Sequence, residues 1–474
     1  MIDSSAISKI VEETVAEYLR GGKIDGMASS QPQVHISNGS GSVSEVVARA
    51  KKAQEDFIGM KILDRSRVID ALRAAALTNA RSLAEDASRE TGYGRVSDKE
   101  LKNKLAANNT PGVEDLDTRA ISGDDGLTLF ELAPFGVIGS ITPSTNPVAT
   151  LVNNSISMLA AGNAVVFNPH PAAKECSRKT IDILDKAIVS AGAPQGLIGM
   201  PEEISQESGN ELMNHKDIAL LSVTGGEAIV HIAMRTGKKV IAAGPGNPPV
   251  IVDDTADIVQ AAADIINGAS FDNNVMCLSE KEVFVLDSVA RRLMEEMCSN
   301  GAVMLDAGDT ERLAKKIILQ SQDNYAIDRQ YIGKNAKALL DAAGIACSHP
   351  DPKMIICETG PHHPFVVTEM MTPVLAIVRV KGIDEAIGCA IAAEMGYRHT
   401  ATMHSTNIRR LSRAAKELNT TIFVKNAPSY AGNGFGGEGF TSLTIATPTG
   451  EGLTSARTFT RIRRCVLRGD FRIV

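Results

Sequence analysis

The sequence predicts an α/β protein made of two successive strand–helix series and a separate antiparallel arm. Three observations carry this expectation. From about residue 136 to residue 426, short β-branched apolar runs alternate with helical periodicities of roughly ten to twenty residues, the signature of doubly wound parallel sheets. Forty glycines, no tryptophan and only 4% aromatic residues point to many tight turns and small-residue packing. Two further segments, 119–133 and 458–474, alternate residue types and stand outside both series. At 474 residues the chain is too long for one ordinary core, so two to three domains are expected.

Taken in order, residues 4–20 read as an amphipathic helix. Ile7, Ile10, Val11, Val15, Tyr18 and Leu19 share one face, with Lys9, Glu12, Glu13 and Glu17 opposite. Asp3, Ser4 or Ser5 can cap it, and Gly21-Gly22 ends it. Residues 21–42 are rich in Gly, Ser, Gln and Asn and read as a flexible linker. So short a helix is marginal alone, so its stripe needs a partner surface, on its own domain or on another protein. Val43–Ile58 and Arg65–Thr91 are helical, the second broken by Gly92-Tyr93-Gly94.

Residues 119–133 read as a β-hairpin turning at Gly123–Gly126. The first series then places strands at Gly136–Ile141, Ala164–Asn168, Gly196–Met200, Ile218–Val223 and Lys239–Ala242. Helices lie between them at Pro147–Ala161, Ala172–Ala191, Glu207–Asn214 and Gly225–Thr236. The second series runs from about Pro248 to Asn426. Its segments include Ala256–Phe271, Val283–Leu286, Ser288–Asn300, Thr310–Leu319, Ala326–Ala343, Val374–Val380, Ile383–Ala393, Thr400–His404 and Ile408–Leu418. Thr458–Val474 reads as an edge strand belonging with the 119–133 hairpin.

Composition excludes several functions. A net charge of −7 supplies no basic field for nucleic acid. The N-terminus lacks a cationic signal region, and no apolar run approaches the ~18 residues of a membrane span. The seven cysteines, at 176, 277, 298, 347, 357, 389 and 465, form no Cys-x-x-Cys pair, so neither a disulfide framework nor a structural zinc site is expected. The chain reads as cytoplasmic, with reduced thiols.

The stretch Gly268-Ala-Ser-Phe-Asp-Asn-Asn-Val-Met-Cys277-Leu-Ser-Glu280-Lys281 precedes the apolar run Val283–Leu286. A cysteine in a polar turn against a rigid strand is both reachable and fixed, and the turn can aim backbone N–H groups at an oxyanion. The ordinary fate of an intracellular cysteine is nevertheless a small buried hydrophobe. Three βα junctions supply its company: Ile141-Thr142-Pro143-Ser144-Thr145-Asn146-Pro147, Phe167-Asn168-Pro169-His170-Pro171 and Ser222-Val-Thr224-Gly225-Gly226. Such carboxyl ends of parallel strands are where open sheets bind ligands, and glycines opening a helix let N–H groups approach a diphosphate. Gly432-Asn-Gly434-Phe-Gly436-Gly437 also satisfies G-x-G-x-x-G, but extended residues and Pro448 follow it instead of a helix, so it reads as a loop.

With these motifs in their order, together with Gly244-Pro-Gly-Asn-Pro248 and Glu369-Met-Met-Thr-Pro373, the sequence resembles the aldehyde dehydrogenase superfamily from about residue 43 to 474. Thr142–Pro147 and Thr458-Phe-Thr-Arg461-Ile-Arg-Arg464-Cys-Val-Leu make it similar to the CoA-acylating propionaldehyde and acetaldehyde dehydrogenases of bacterial microcompartments. The resemblance implies an NAD-binding domain (43–118 and 134–245), a catalytic domain (246–440) and an oligomerisation arm (119–133 and 455–474) of a homodimer or homotetramer. It also implies that residues 4–20 direct the chain to a microcompartment shell protein.

By the same resemblance Cys277 is the nucleophile, and Thr145 or Asn146, with the Cys277 N–H, holds the oxyanion. His399 takes the CoA thiol's proton, or is a hydrogen-bonded structural histidine. Glu369 holds the nicotinamide ribose, or caps a surface helix. Thr142, Pro143, Ser144, Asn168, His170, Pro171, Thr224, Gly225, Gly226, Ala243 and Gly244 line the NAD cleft. Asn168 and Pro171 stand where hydrolytic relatives carry Lys and Glu for the adenosine ribose, so no carboxylate excludes NADP. Those relatives also carry a water-activating glutamate where this chain reads Val240-Ile-Ala242-Ala243-Gly244, which leaves the acyl-enzyme to a thiol such as coenzyme A. No metal is implied. The competing readings are a hydrolytic or phosphate-dependent member of the superfamily and an inactive shell-associated scaffold.

Overall fold

The computed structural model describes residues 41–321 and 324–473, so the 4–20 helix and nearly all of its linker lie outside the described residues. Three sheets organise the described chain. A five-stranded parallel sheet has the spatial order Ile198–Gly199, Ala164–Pro169, Val137–Thr142, Ile218–Thr224, Lys239–Ala243. A seven-stranded parallel sheet runs Ala302–Leu305, Met354–Glu358, Val374–Val380, Glu282–Leu286, Pro249–Val252, Thr400–His404, Ile422–Lys425. A three-stranded antiparallel sheet carries Gly126–Pro134 between Arg119–Gly123 and Thr460–Arg468.

Both faces of the seven-stranded sheet are apolar, which is why its strands read as continuous hydrophobic runs. Ile251, Phe284, Ile355, Ala376 and Met403 enter one core. Their neighbours Val250, Val283, Ile356 and Leu375 enter the other, following the period of two. The five-stranded sheet is buried in a third core that also takes Ala456 and Phe459, so the segment leading to the arm is anchored there.

Two expectations need correction. Arg65–Thr91 is two helices, Ile62–Thr78 and Ala80–Thr91. At the break, Asn79 Nδ2 donates to Ala75 O at 2.9 Å, and Ser82 Oγ donates to Asn79 O. Local side-chain bonding of this kind competes with the helix ladder. Ala326–Ala343 is not one element. Asn324–Ile327 is a strand paired with Ile318–Ser321, so Thr310–Leu319 also stops being helical at Ile317, and only Ala336–Ala342 of the later segment is α-helical. Asp328 caps a short 3₁₀ turn, and Gly333, with φ +65°, ends it. A Cβ at Gly333 would also lie 2.9 Å from Tyr93, so the break is built into the packing.

Candidate active site

In the five-stranded sheet the chain order reverses between Val137–Thr142 and Ile218–Thr224, and the crevice beyond their carboxyl ends is the expected ligand site. Thr142 and Thr224 end those strands. In the seven-stranded sheet the candidate residues collect at the opposite, amino ends. Gly246 precedes Pro249–Val252, Cys277 precedes Glu282–Leu286, Glu369 precedes Val374–Val380, and His399 precedes Thr400–His404. The carboxyl end at this sheet's own reversal is closed by Asp253. Its side chain accepts from Thr255 N and Oγ1, Ser405 Oγ (2.7 Å) and Arg410 Nη1 (3.1 Å). Residues 244–248 join the carboxyl end of one sheet to the amino end of the other, which brings the two sets together.

The nucleophile turn is braced. Asp272, Asn273 and Asn274 are consecutive left-handed residues, with φ of 48°, 55° and 65°. Asn and Asp tolerate that region better than other side chains, yet three in a row need outside support. Asp272, fully buried, accepts from Arg95 N (2.7 Å), Lys99 Nζ (2.9 Å) and Lys102 Nζ. Asn273 Nδ2 donates to Gly333 O and Asn335 Oδ1, and Asn274 Nδ2 to Ala269 O and Glu280 O. Lys281 Nζ, with no exposed surface, donates to Asn274 O at 2.9 Å and Met276 O at 3.2 Å. Glu280 accepts from Ser429 N and Oγ at 2.7 and 2.8 Å, and burial raises its carboxyl to about 7.

Cys277 is partly exposed on this turn. Desolvation first, then the Glu369 carboxylate, pushes its thiol up to about 12, against the opposing Lys281 and Lys102 charges. At neutral pH the resting thiol is therefore protonated. Burial does the same to Cys357, so acidity does not single Cys277 out; its neighbours do.

His399 is completely buried. Its Nδ1 bonds Thr400 Oγ1 at 2.8 Å, its backbone N donates to Glu394 Oε1, and Nε2 has no partner. Burial and the Lys281 charge push its imidazole down to about 4, so it is neutral at physiological pH. Glu369 lies in an irregular segment and not at a helix end. Gly246 N approaches its Oε1 at 3.4 Å, and desolvation raises its carboxyl.

Among the three junctions, Thr142 Oγ1 is buried without a partner, and Thr224 Oγ1 bonds Thr444 Oγ1 at 3.2 Å. Gly225 N donates to Ala243 O. Gly226 caps the Glu227–Met234 helix with nothing within 4 Å of where a Cβ would stand, leaving room for a ligand's close approach to its backbone. Gly244 is packed on Pro448. Of these, the unpartnered Thr142 hydroxyl and the open Gly226 backbone fit a dinucleotide diphosphate. Pro143 and Ser144 are half-buried beside them, and Pro171 is exposed. His170 Nδ1 accepts from Ala172 N, which makes it a local cap. Asn168 is not turned to the crevice: its Oδ1 accepts from Ser208 Oγ at 2.7 Å and it is 5% exposed.

Thr145 and Asn146 are both half-buried. Asn146 Oδ1 accepts from Lys102 Nζ, while its Nδ2 approaches Thr145 Oγ1 at 3.3 Å. Sequence reasoning did not single out Lys99, Lys102, Asp272 or Lys281. Nor did it find the aromatic triangle of Phe271, Tyr430 and Phe435, with ring centroids 5.0–5.7 Å apart. These rings, with Leu101, Lys102, Leu105, Met276 and Asn433, line a small cleft beside the nucleophile turn. The alternation of lysines at i and i+3 on a helix holding Asp98 was the one legible signal for the buried pair. Among the described residues no group of three His, Cys, Asp or Glu side chains is placed to hold a metal ion.

Comparison with known proteins adds an independent line. The model of the aldehyde dehydrogenase family matches residues 29–453. A CoA-propanoylating propanal dehydrogenase of Salmonella typhimurium is 49% identical over 91% of this chain and 92% of its own. The acetylating acetaldehyde dehydrogenase EutE of that organism is 50% identical over 94% and 96%. Two solved structures superpose closely. A Rhodopseudomonas palustris propionaldehyde dehydrogenase with bound CoA and an acylated cysteine has a TM-score of 0.88 at 44% identity, covering 91% and 98% of the two chains. The propionaldehyde dehydrogenase of the Clostridium phytofermentans fucose utilisation microcompartment has 0.89 at 45%, covering 92% and 100%.

Proposed function

The chain belongs to the aldehyde dehydrogenase family, and from that premise we propose how its own residues oxidise a short-chain aldehyde to an acyl-CoA. Propionaldehyde is favoured and acetaldehyde is the alternative. The observation that carries the reading is the meeting of Cys277, His399 and Glu369 around Gly246, in a site where positions 242 and 243 carry alanines in place of a water-activating glutamate.

The Cys277 sulfur, on losing its proton, adds to the aldehyde carbon. The oxyanion that forms is met by the Cys277 backbone N–H and by the Thr145 or Asn146 side chain. Thr142, Thr224, Gly225, Gly226 and Glu369 would hold NAD(P), which would supply the hydride acceptor. The product is a thioester on Cys277. The CoA sulfur then attacks that thioester carbon, and Cys277 leaves as the thiolate. His399, neutral with an unpartnered Nε2, receives the CoA thiol's proton. The aromatic cleft of Phe271, Tyr430 and Phe435 takes the alkyl chain.

Residues 4–20 bind a shell protein and place the enzyme in a microcompartment lumen. The arm joins copies of the chain: Ile462, Val466 and Leu467 are exposed on a strand whose outer edge is unpaired among the described residues. No described helix is long and apolar enough to cross a membrane.

The test is NADH formation from purified protein, propionaldehyde and NAD⁺, with and without CoA. Strict CoA dependence is the expected result. Equal rates without CoA would mean that water is activated by another group.

A further inference from the structure

Lys102 belongs to the Val96–Asn109 helix of the first domain, yet its ammonium lies inside the second domain's catalytic turn. It is 3% exposed. Two oxygens meet it there: the Asp272 carboxylate, which begins the left-handed turn, and Asn146 Oδ1, which ends the Ile141–Asn146 junction. Asp272 keeps a second cation, Lys99, at 2.9 Å. Charge balance of the carboxylate therefore does not require Lys102. What Lys102 alone does is fix the orientation of an amide. With its oxygen committed to an ammonium, the Asn146 side chain must present Nδ2 on the other side, toward Thr145. An amide free to flip would show a forming oxyanion its own oxygen half of the time, which repels it.

We propose that Lys102 is a positioning residue that holds Asn146 as a hydrogen-bond donor for the oxyanion formed on Cys277 addition, and ties that donor to the nucleophile turn through Asp272. The assignment rests on Cys277 being the nucleophile. It makes Asn146 a side-chain donor, with one amide hydrogen given to Thr145 Oγ1 and the second left for the oxyanion. It also makes the contact between the Val96–Asn109 helix and the nucleophile turn part of catalysis, since the Lys102 ammonium bridges Asp272 and Asn146.

The experiment is a double-mutant cycle read by the first-turnover NADH burst, with Lys102→Met, Asn146→Ala and the pair. Lys102→Met should slow the burst roughly 10²-fold, the loss expected for one oxyanion donor, with NADH affinity and aldehyde KM near wild type. In the Asn146→Ala background the same change should slow it no further than about threefold, because partners acting through one group are not additive. Equal losses on both backgrounds, or a wild-type burst in Lys102→Met, would overturn the assignment. Asn146→Asp is the second variant, decisive if Lys102→Met does not fold. It keeps the oxygen facing Lys102 and removes the donor, so its melting temperature should equal or exceed wild type while the burst is lost. A lowered melting temperature or a retained burst refutes the proposal. If wild-type protein gives no CoA-dependent NADH, the functional reading itself has failed; a variant result against an active wild type fails only this inference.

Discussion

Gly246 separates Cys277 from His399 by backbone alone: a Cβ built on it would stand 2.7 Å from the Cys277 carbonyl oxygen and 2.9 Å from His399 Cγ. Both neighbours are fixed, one by the braced turn and one by bonds to Thr400 and Glu394. Gly246→Ala should therefore cost about 1–3 kcal/mol of stability, as overpacking does. It should also lower kcat at least tenfold at saturating CoA, since the thioester carbon and the acceptor of the CoA thiol's proton are pushed apart. Denaturant unfolding and steady-state kinetics check the two effects, and a variant with wild-type kcat would show that the spacing is not used.

Lys281 is a buried cation that bonds backbone carbonyls and an amide, and no carboxylate lies within 4 Å of it among the described residues. An unpaired buried charge is costly unless negative charge appears beside it at some stage. The Glu369 carboxylate already acts on Lys281 from beyond contact distance, and the Cys277 thiolate adds to it when it forms. Lys281→Met is expected to slow iodoacetamide alkylation of Cys277 at pH 8 by more than tenfold. Alkylation at the wild-type rate would remove Lys281 from any electrostatic role.

His399 and His404 both have imidazoles pushed down to about 4 by burial, against 6.5 for the unfolded chain. Between these values the unfolded state binds more protons, so stability is fully present above pH 6.5 and is lost as pH falls toward 4. Each histidine contributes on the order of 3 kcal/mol at the lower limit. Urea midpoints should fall steeply from pH 6.5 to 4.5, and His404→Gln should flatten that fall. A midpoint independent of pH across this window would contradict the buried neutral form.

The strand–helix alternation and the arm were legible because period and turn chemistry are local. Val374–Val380, Thr400–His404 and Ile408–Leu418 end where their patterns end. The short strands Pro249–Val252, Ala302–Leu305 and Met354–Glu358 were not, since each is four or five residues long and gains its partners only in the sheet. The same holds at the site. Cys277 and the junction glycines stand in turns that the sequence pattern marks, and His399 enters only through the resemblance. Lys102 reads as one more lysine on a charged helix, because its meaning lies in Asp272, 170 residues away. Asn168 looked like a ligand group for the converse reason: its bond to Ser208 cannot be read from a junction motif.

The aromatic cleft makes the last prediction, on chain length. Phe435 closes the triangle with Phe271 and Tyr430, and the loop that holds it turns through Gly434 and Gly436 at φ +80° and +74°. Gly437 has no room for a side chain, because a Cβ there would lie 2.4 Å from Ala431 O, so the loop packs closely on Ala431. Each methylene beyond the depth of the cleft must displace a ring. Removing one wall should relieve that cost selectively for longer aldehydes. Phe435→Ala is expected to raise kcat/KM for hexanal relative to propanal by about 10- to 100-fold, the range set by one to three kcal/mol per misfitted methylene. The propanal rate should fall as its alkyl chain loses contact. An unchanged ratio would place the alkyl chain elsewhere and leave the aromatic triangle as packing for the nucleophile turn.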